Sequence, residues 1–251
     1  MATPAKSSAV IVVRAAKTIA LPPSLLGFHE FDKPDAYDPD KPKFKGNFHY
    51  TPPAFQALHP LVNTACIEGL YAKLKAEFLE ANPKGKLKEP MSADEWLESK
   101  LKPAKEDAKT DWQALPFLQF AMPATWKDKS GEVHMKEVAA WDGKNRKLNL
   151  KKLRMSRGST VQAIVAPSLF YSKALAGLVQ PTFKLVGVRV LKLVTWSGSG
   201  ASAPEADDEE IRNVLGADYE ADDLSAYMGQ DDEDTPDGPP VDDAGAVEKM
   251  F

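Results

Sequence analysis

The chain has 251 residues, with 32 Lys and Arg, 36 Asp and Glu, and a formal net charge of −4. That length suits one large domain or two small ones, and the apolar content supports a real core. A single cysteine, Cys66, excludes an internal disulfide and a cysteine-based zinc site. Residues 1–9 lack the apolar run of a signal peptide, and no window approaches the roughly 18 apolar residues of a membrane span. A soluble protein of a reducing cytoplasm is therefore expected.

The β-branched residues 10–14 predict a strand, extendable towards Leu21 and ended by Pro22 and Pro23. Residues 29–43, with Pro34, Pro39 and Pro42 among Asp and Lys, predict a loop. Across residues 43–50 polar and aromatic side chains alternate, as in a half-buried strand, which Pro52 and Pro53 close. Leu58, Val62, Ala65, Cys66, Leu70, Leu74 and Phe78 then recur at three- and four-residue steps. They predict an amphipathic helix with Pro60 in its first turn and a stop at Asn82, Pro83 and Gly85. Ser92 and Glu95 have capping-box spacing and predict a second short helix to about Leu101.

From Gln113 to Thr195 the pattern is one of strands. Residues 117–122, 136–142, 160–166 and 183–194 are the candidates, with a turn at 128–131. Residues 168–173 predict an aromatic loop between the last two strands. The sum is a mainly β fold: an OB-fold-like, five-stranded Greek-key barrel over residues 1–196, with a helical insertion at about 54–112. Residues 197–202 (Ser-Gly-Ser-Gly-Ala-Ser) predict a flexible linker. Beyond them acid, Gly and Pro predict a disordered tail, relieved by a brief helix at 209–215.

The charge is split along the chain. Residues 201–251 hold 17 acidic and 2 basic residues, a net of −15. That leaves 19 acidic and 30 basic residues in 1–200, a net of +11. A basic body suits an anionic partner such as nucleic acid, and an acidic block at one end suits an interaction tail. The densest basic stretch carries Lys127, Lys129, Lys136, Lys144, Arg146, Lys147, Lys151, Lys152, Arg154 and Arg157, framed by Phe120, Trp126, Trp141, Phe170 and Tyr171. Single-strand binders need both parts: cations follow the phosphates, and aromatic faces stack on unpaired bases without reading sequence. Trp126 and Tyr171 are the candidate stacking rings, because each adjoins a lysine near an expected loop or strand end. Lys173, Lys43 and Lys45 complete the candidate contacts. Trp96, Trp112 and Trp196 are expected to pack, and Trp141 to do one or the other. A tethered polyanion held near a basic groove competes for it. The candidate tail contacts are Asp231, Asp232, Glu233, Asp234, Asp242, Asp243 and the terminal Phe251.

No Walker-type loop and no nucleophile elbow is present, and His29, His49, His59 and His134 lack metal-ligand spacing. No enzyme, cofactor or metal is expected. Two other binding classes fit the same charge pattern: an RNA-binding OB-fold protein or nucleic-acid chaperone, and an acid-tailed protein-interaction module that ignores nucleic acid.

The order of features resembles the single-stranded-DNA-binding proteins of bacteriophage replisomes, of the podovirus type. The features are the strand at 44–50, the inserted helix at about 60–81, the basic β region, residues 168–173 before a Val-rich last strand, and an acidic tail ending in Phe251. The resemblance implies an OB-fold that binds single-stranded DNA, tends to dimerise, and works in the host bacterial cytoplasm. It implies a tail that competes with DNA and contacts the phage DNA polymerase and primase-helicase. It places a stacking tyrosine at Tyr171 and the terminal aromatic at Phe251. Lys249 and Met250 depart from the family's purely acidic end, and residues 82–113 have no clear counterpart in it.

Overall fold

The computed structural model describes residues 10–35, 37–38, 40–103, 111–195 and 222–228, with residues 111 and 112 described in backbone alone. The chain opens with β1 (Val10–Arg14), β2 (Ile19–Ala20), β3 (Ser24–Asp35) and β4 (Lys43–His49). A bent helical run follows: α1 (Pro52–Gln56), α2 (Leu58–Val62), a π-helical stretch (Asn63–Glu68) and α3 (Gly69–Ala81). Helix α4 (Ala93–Lys100) is next. After it come β5 (Phe117–Pro123), β6 (Thr125–Lys127), β7 (Val133–Met135), β8 (Ala139–Trp141), β9 (Lys147–Leu148), α5 (Leu150–Leu153), β10 (Thr160–Ser172) and β11 (Leu178–Lys192).

The protein is mainly β, but the main sheet holds nine strands among the described residues where five were expected. Its hydrogen-bonded path runs β5-β4-β3-β10-β11-β8-β9, with β1 and β2 also paired to β10. Short or irregular pieces account for the extra strands. Residues 29–35, expected in a loop, belong to β3. That strand pairs with β4 through two register shifts, and such irregular pairing tolerates Pro34, which has no N–H to donate. The expected strand at 136–142 contracts to β8, which lies parallel to β11. A Cβ on Gly187 would meet the Ala139 carbonyl oxygen at 2.3 Å and the Trp141 ring at 2.6 Å, so only glycine admits β8 there. Residues 168–172, expected as a loop, continue β10, which pairs with β1 and β11 along this length. The turn falls later, where Ala176 (φ 56°) and Gly177 (φ 76°) are left-handed.

The inner face of the sheet follows from register. Val161, Ala163 and Val165 of β10 oppose Val190, Val188 and Leu185 of β11, and all six are fully buried. They join Leu26, Phe48, Leu118, Trp96 and Leu97 in the main core. The helical run starts earlier than expected, because Pro52 and Pro53 occupy its first turn instead of breaking the chain. Leu70, Leu74 and Phe78 of α3 cover Val13 and Leu169 in a second cluster. There Cys66 donates to the Ser168 carbonyl at 2.8 Å, and burial pushes its thiol up to about 12, which leaves it unreactive. The capping box at Ser92 and Glu95 forms as expected.

One part of the acidic tail departs from the expectation of disorder. Residues 222–228 are seated on the body. Asp222 N donates to Leu191 O (2.9 Å), Asn149 N donates to Tyr227 O (2.8 Å), and Met228 bridges to Leu148. Leu224, only 3% exposed, enters the main core with Leu148 and Leu153. The expected linker at 197–202, the helix at 209–215 and the tail contacts Asp231, Asp232, Glu233, Asp234, Asp242, Asp243 and Phe251 lie outside the described residues. Among the described residues no helix is long and apolar enough to cross a membrane.

Candidate nucleic-acid interface

The basic stretch is distributed over three local structures. The first is the β6–β7 hairpin, where Lys127 and Lys129 are exposed. Trp126 is 47% exposed and stacks on His134, with ring centroids 4.7 Å apart and an interplanar angle of 26°. His134 Nε2 lies 3.1 Å from Asp128 Oδ2, and Asp128 Oδ1 accepts from the backbone N–H groups of Ser130 and Glu132, both at 2.9 Å. The Ser130 hydroxyl and His134 hold the Asp128 carboxyl down to about 2. The turn is thus fixed from within, and it presents one face of the indole to solvent. Asp128, Glu132 and His134 bring three potential metal-ligand atoms within 4.8 Å of one another. Asp128 already spends both oxygens on the turn.

The second is the β8–β9 turn with α5. Lys144, Lys147, Lys151 and Lys152 are exposed. Arg146 is committed elsewhere: its Nε donates to the buried Asp142 at 2.6 Å, and its guanidinium lies 3.7 Å from Asp223 of the docked tail segment. Lys151 pairs with Glu137 at 3.1 Å, an exposed pair of small energetic weight.

The third is the solvent face of β3, β4 and β5. Phe28, 40% exposed, has Lys45 Nζ 5.7 Å and Arg157 Cζ 5.5 Å from its ring centroid. Lys45 also pairs with Asp35 and with Glu30 (3.2 Å); its bond to Asp35 raises its own pKa and lowers that of Asp35. Lys43 is exposed at the head of β4, and Asn47 and Gln119 are bridged at 2.9 Å on the neighbouring strands. His29 ties β3 to the loop that carries the exposed Arg154 and Arg157. Its Nδ1 lies 3.2 Å from Gly27 O and its Nε2 3.1 Å from Met155 O. Burial lowers its pKa.

The first and third of these adjoin at one end of the β3–β4–β5 half, while β8 and β9 lie at the other end of the sheet order. Lys43 is the register partner of Pro123, and Ala124 N donates to Pro42 O at 2.9 Å. The β3–β4 loop, with Tyr37 95% exposed, therefore adjoins the start of the Trp126 hairpin. Phe28, Tyr37 and Trp126 are the most exposed aromatic rings among the described residues. Of the three, only Trp126 is a candidate contact from the sequence. Phe28 precedes the expected loop with no lysine beside it, and its cations come from distant positions. Tyr37 sits in a segment read only as a loop.

The remaining candidates separate from this site. Tyr171 is 7% exposed and packs edge-on to Phe78 at 5.1 Å, because strand alternation turns it towards α3; its ring has no open face for a base. Lys173 is exposed, but the 13 residues of β10, up to about 40 Å at strand rise, lie between it and Arg157. Trp141 and Trp96 are buried. The side chain of Trp112 and all of Trp196 lie outside the described residues.

No protein-family model matches the chain, and no curated protein does. Among solved structures it is similar to gp2.5, a single-stranded DNA binding protein encoded by bacteriophage T7. The identity is 18% and the TM-score 0.44, over 74% of this chain and 97% of that one. It is also similar to the single-stranded DNA-binding protein of bacteriophage Enc34. The C-terminally truncated form shows 11% identity and a TM-score of 0.38, over 70% of this chain and 85% of that one. The form in complex with single-stranded DNA shows 12% identity and a TM-score of 0.38, over 70% and 86%. The likeness is loose at these TM-scores, and no residue role passes from those proteins to this chain.

Proposed function

We propose that this chain is a non-specific single-stranded-DNA-binding protein of a phage replisome, with an OB-fold-like body that holds the strand and an acidic tail that recruits replication proteins. The observation that carries this reading is Phe28, an exposed ring flanked by Lys45 and Arg157, with Tyr37 and Trp126 at the end of the same strands. A base stacks on such a ring while the exposed Arg157 meets the phosphates, Lys45 being held by Asp35 and Glu30, and no base edge is read. Lys127, Lys129, Lys144, Lys147, Lys152 and Arg154 add to the positive field around it. Tail competition is supported by Asp223, which lies beside Arg146 and is itself favoured in its charged form, chiefly by the Ser225 N–H. The polymerase and primase-helicase are the proposed tail partners, through the acids near 231–243 and Phe251. A mobility shift with oligo-dT tests the first part: the full chain retards the strand, and an absence of retardation at low salt refutes it. Competition by an RNA of equal sequence discriminates the RNA-binding reading, which is correct if RNA displaces DNA at lower concentration.

A further inference from the structure

Arg189 of β11 is a cation held in place without a carboxylate. Its neighbours Val188 and Val190 point into the core, so alternation turns Arg189 to the opposite face of the sheet. One terminal nitrogen donates to Gln162 Oε1 at 2.9 Å and the other to Asn145 Oδ1 at 2.5 Å. The Nε–H is buried with no acceptor. No acidic group among the described residues pairs with it. The nearby Asp142 is spent on Arg146 and on the backbone N–H groups of Lys144 and Arg146.

The surroundings are built to hold this guanidinium. Asp142 shapes the β8–β9 turn, which places Asn145 in the left-handed region (φ 64°) with its side chain on Arg189. Gln162, Arg189, Trp141 and Lys147 are successive register partners on β10, β11, β8 and β9. They form one row across the sheet, and Lys147 at its end is exposed. A structural cross-link between Gln162 and Asn145 needs no charge. A cation partly withdrawn from water without a counter-charge is unfavourable, and a bound anion reverses that cost. A guanidinium has five N–H groups, and two neutral amide acceptors leave donors over for such an anion.

We infer that Arg189, with Lys147 in the same row, is a phosphate-binding position that takes the backbone of a bound single strand on the face opposite the core. The inference rests on the single-strand reading and extends the strand's path beyond the Phe28 face, across β11, β8 and β9. Burial also lowers the Arg189 pKa, in keeping with a desolvated cation.

The test uses the full chain carrying nitrogen-15 arginine, with the Arg189 Nε–Hε signal assigned from Arg189→Lys. Oligo-dT is expected to shift that signal in step with binding. Arg189→Gln is expected to bind about ten-fold more weakly and to flatten the salt slope by about 0.7, while Phe28→Ala loses affinity at unchanged slope. Normal wild-type binding with an unmoved Arg189 signal, and an Arg189→Gln slope equal to wild type, overturns the inference and leaves the single-strand reading standing. A signal moved by inorganic phosphate but not by oligo-dT also overturns it, assigning the position to a small anion. Wild-type protein that fails to bind oligo-dT overturns both.

Discussion

Two aromatic residues with opposite fates show what decides a contact at the scale of single residues. Tyr171 and Phe28 are both strand residues near lysines or arginines, but one ring is covered by α3 and the other is 40% exposed, with Lys45 and Arg157 over it. Phe28→Ala should weaken oligo-dT binding by about 1–3 kcal/mol, roughly five- to 150-fold, with little change in melting temperature. Tyr171→Ala should do the reverse: it should cost about 3 kcal/mol of stability by emptying the space against Phe78, and barely alter the affinity of the folded protein. Urea unfolding and fluorescence anisotropy on the same samples separate the two outcomes. His29 adds a pH dependence. Burial depresses its folded-state pKa below the ordinary 6.5, so the unfolded chain takes up the proton first as pH falls. Stability is therefore complete above pH 6.5 and declines below it, since the unfolded state binds more protons there. Melting curves from about pH 7.5 to about pH 5 should show this decline in wild type and a shallower one in His29→Asn.

At the scale of elements, the sequence was most legible where a pattern was local. The strands at 10–14, 43–49 and 117–123, the helix face of Leu70, Leu74 and Phe78, and the capping box at Ser92 all declare themselves within a few residues. What was not legible depends on distant partners. Residues 29–35 become strand only because β4 supplies a ladder, and 168–172 only because β1 and β11 flank them. Pro34 reads locally as a breaker, and its irregular pairing tolerates it. Of the candidate site, the basic stretch and Trp126 were legible from composition. Phe28 was not, because its cations arrive from β4 and from the loop before β10. Gly187 is the sharpest case of a tertiary requirement carried by one residue. Gly187→Ala should push β8 away from β11 and cost about 1–3 kcal/mol or more, read as a lower urea midpoint. The docked segment 222–228 was hidden because its acids dominate the composition, while Leu224, Tyr227 and Met228 do the seating. Leu224→Ala should cost about 2–5 kcal/mol. Removal of residues 229–251 should leave the melting temperature unchanged, whereas removal of 222–251 should lower it.

For the whole molecule, the division of charge is the governing feature, and the docked segment changes where the division falls. Residues 222–228 belong to the packed body, so the terminal part of the tail starts from a fixed point beside Arg146. Residues 229–251 carry eight acids against Lys249, a net of −7. In the proposed tail competition, acids tethered at that point would reach the cations of the β8–β9 turn and α5 at high effective concentration. The direct test is oligo-dT affinity across a salt series, measured for the full chain and for the chain ending at Met228. Single-strand binding with tail competition predicts that log affinity falls linearly with log salt, by about 0.7 for each phosphate neutralised, and that the shortened chain binds more tightly at low salt with the gap closing as salt rises. An affinity indifferent to salt, or a shortened chain that binds more weakly, would contradict it.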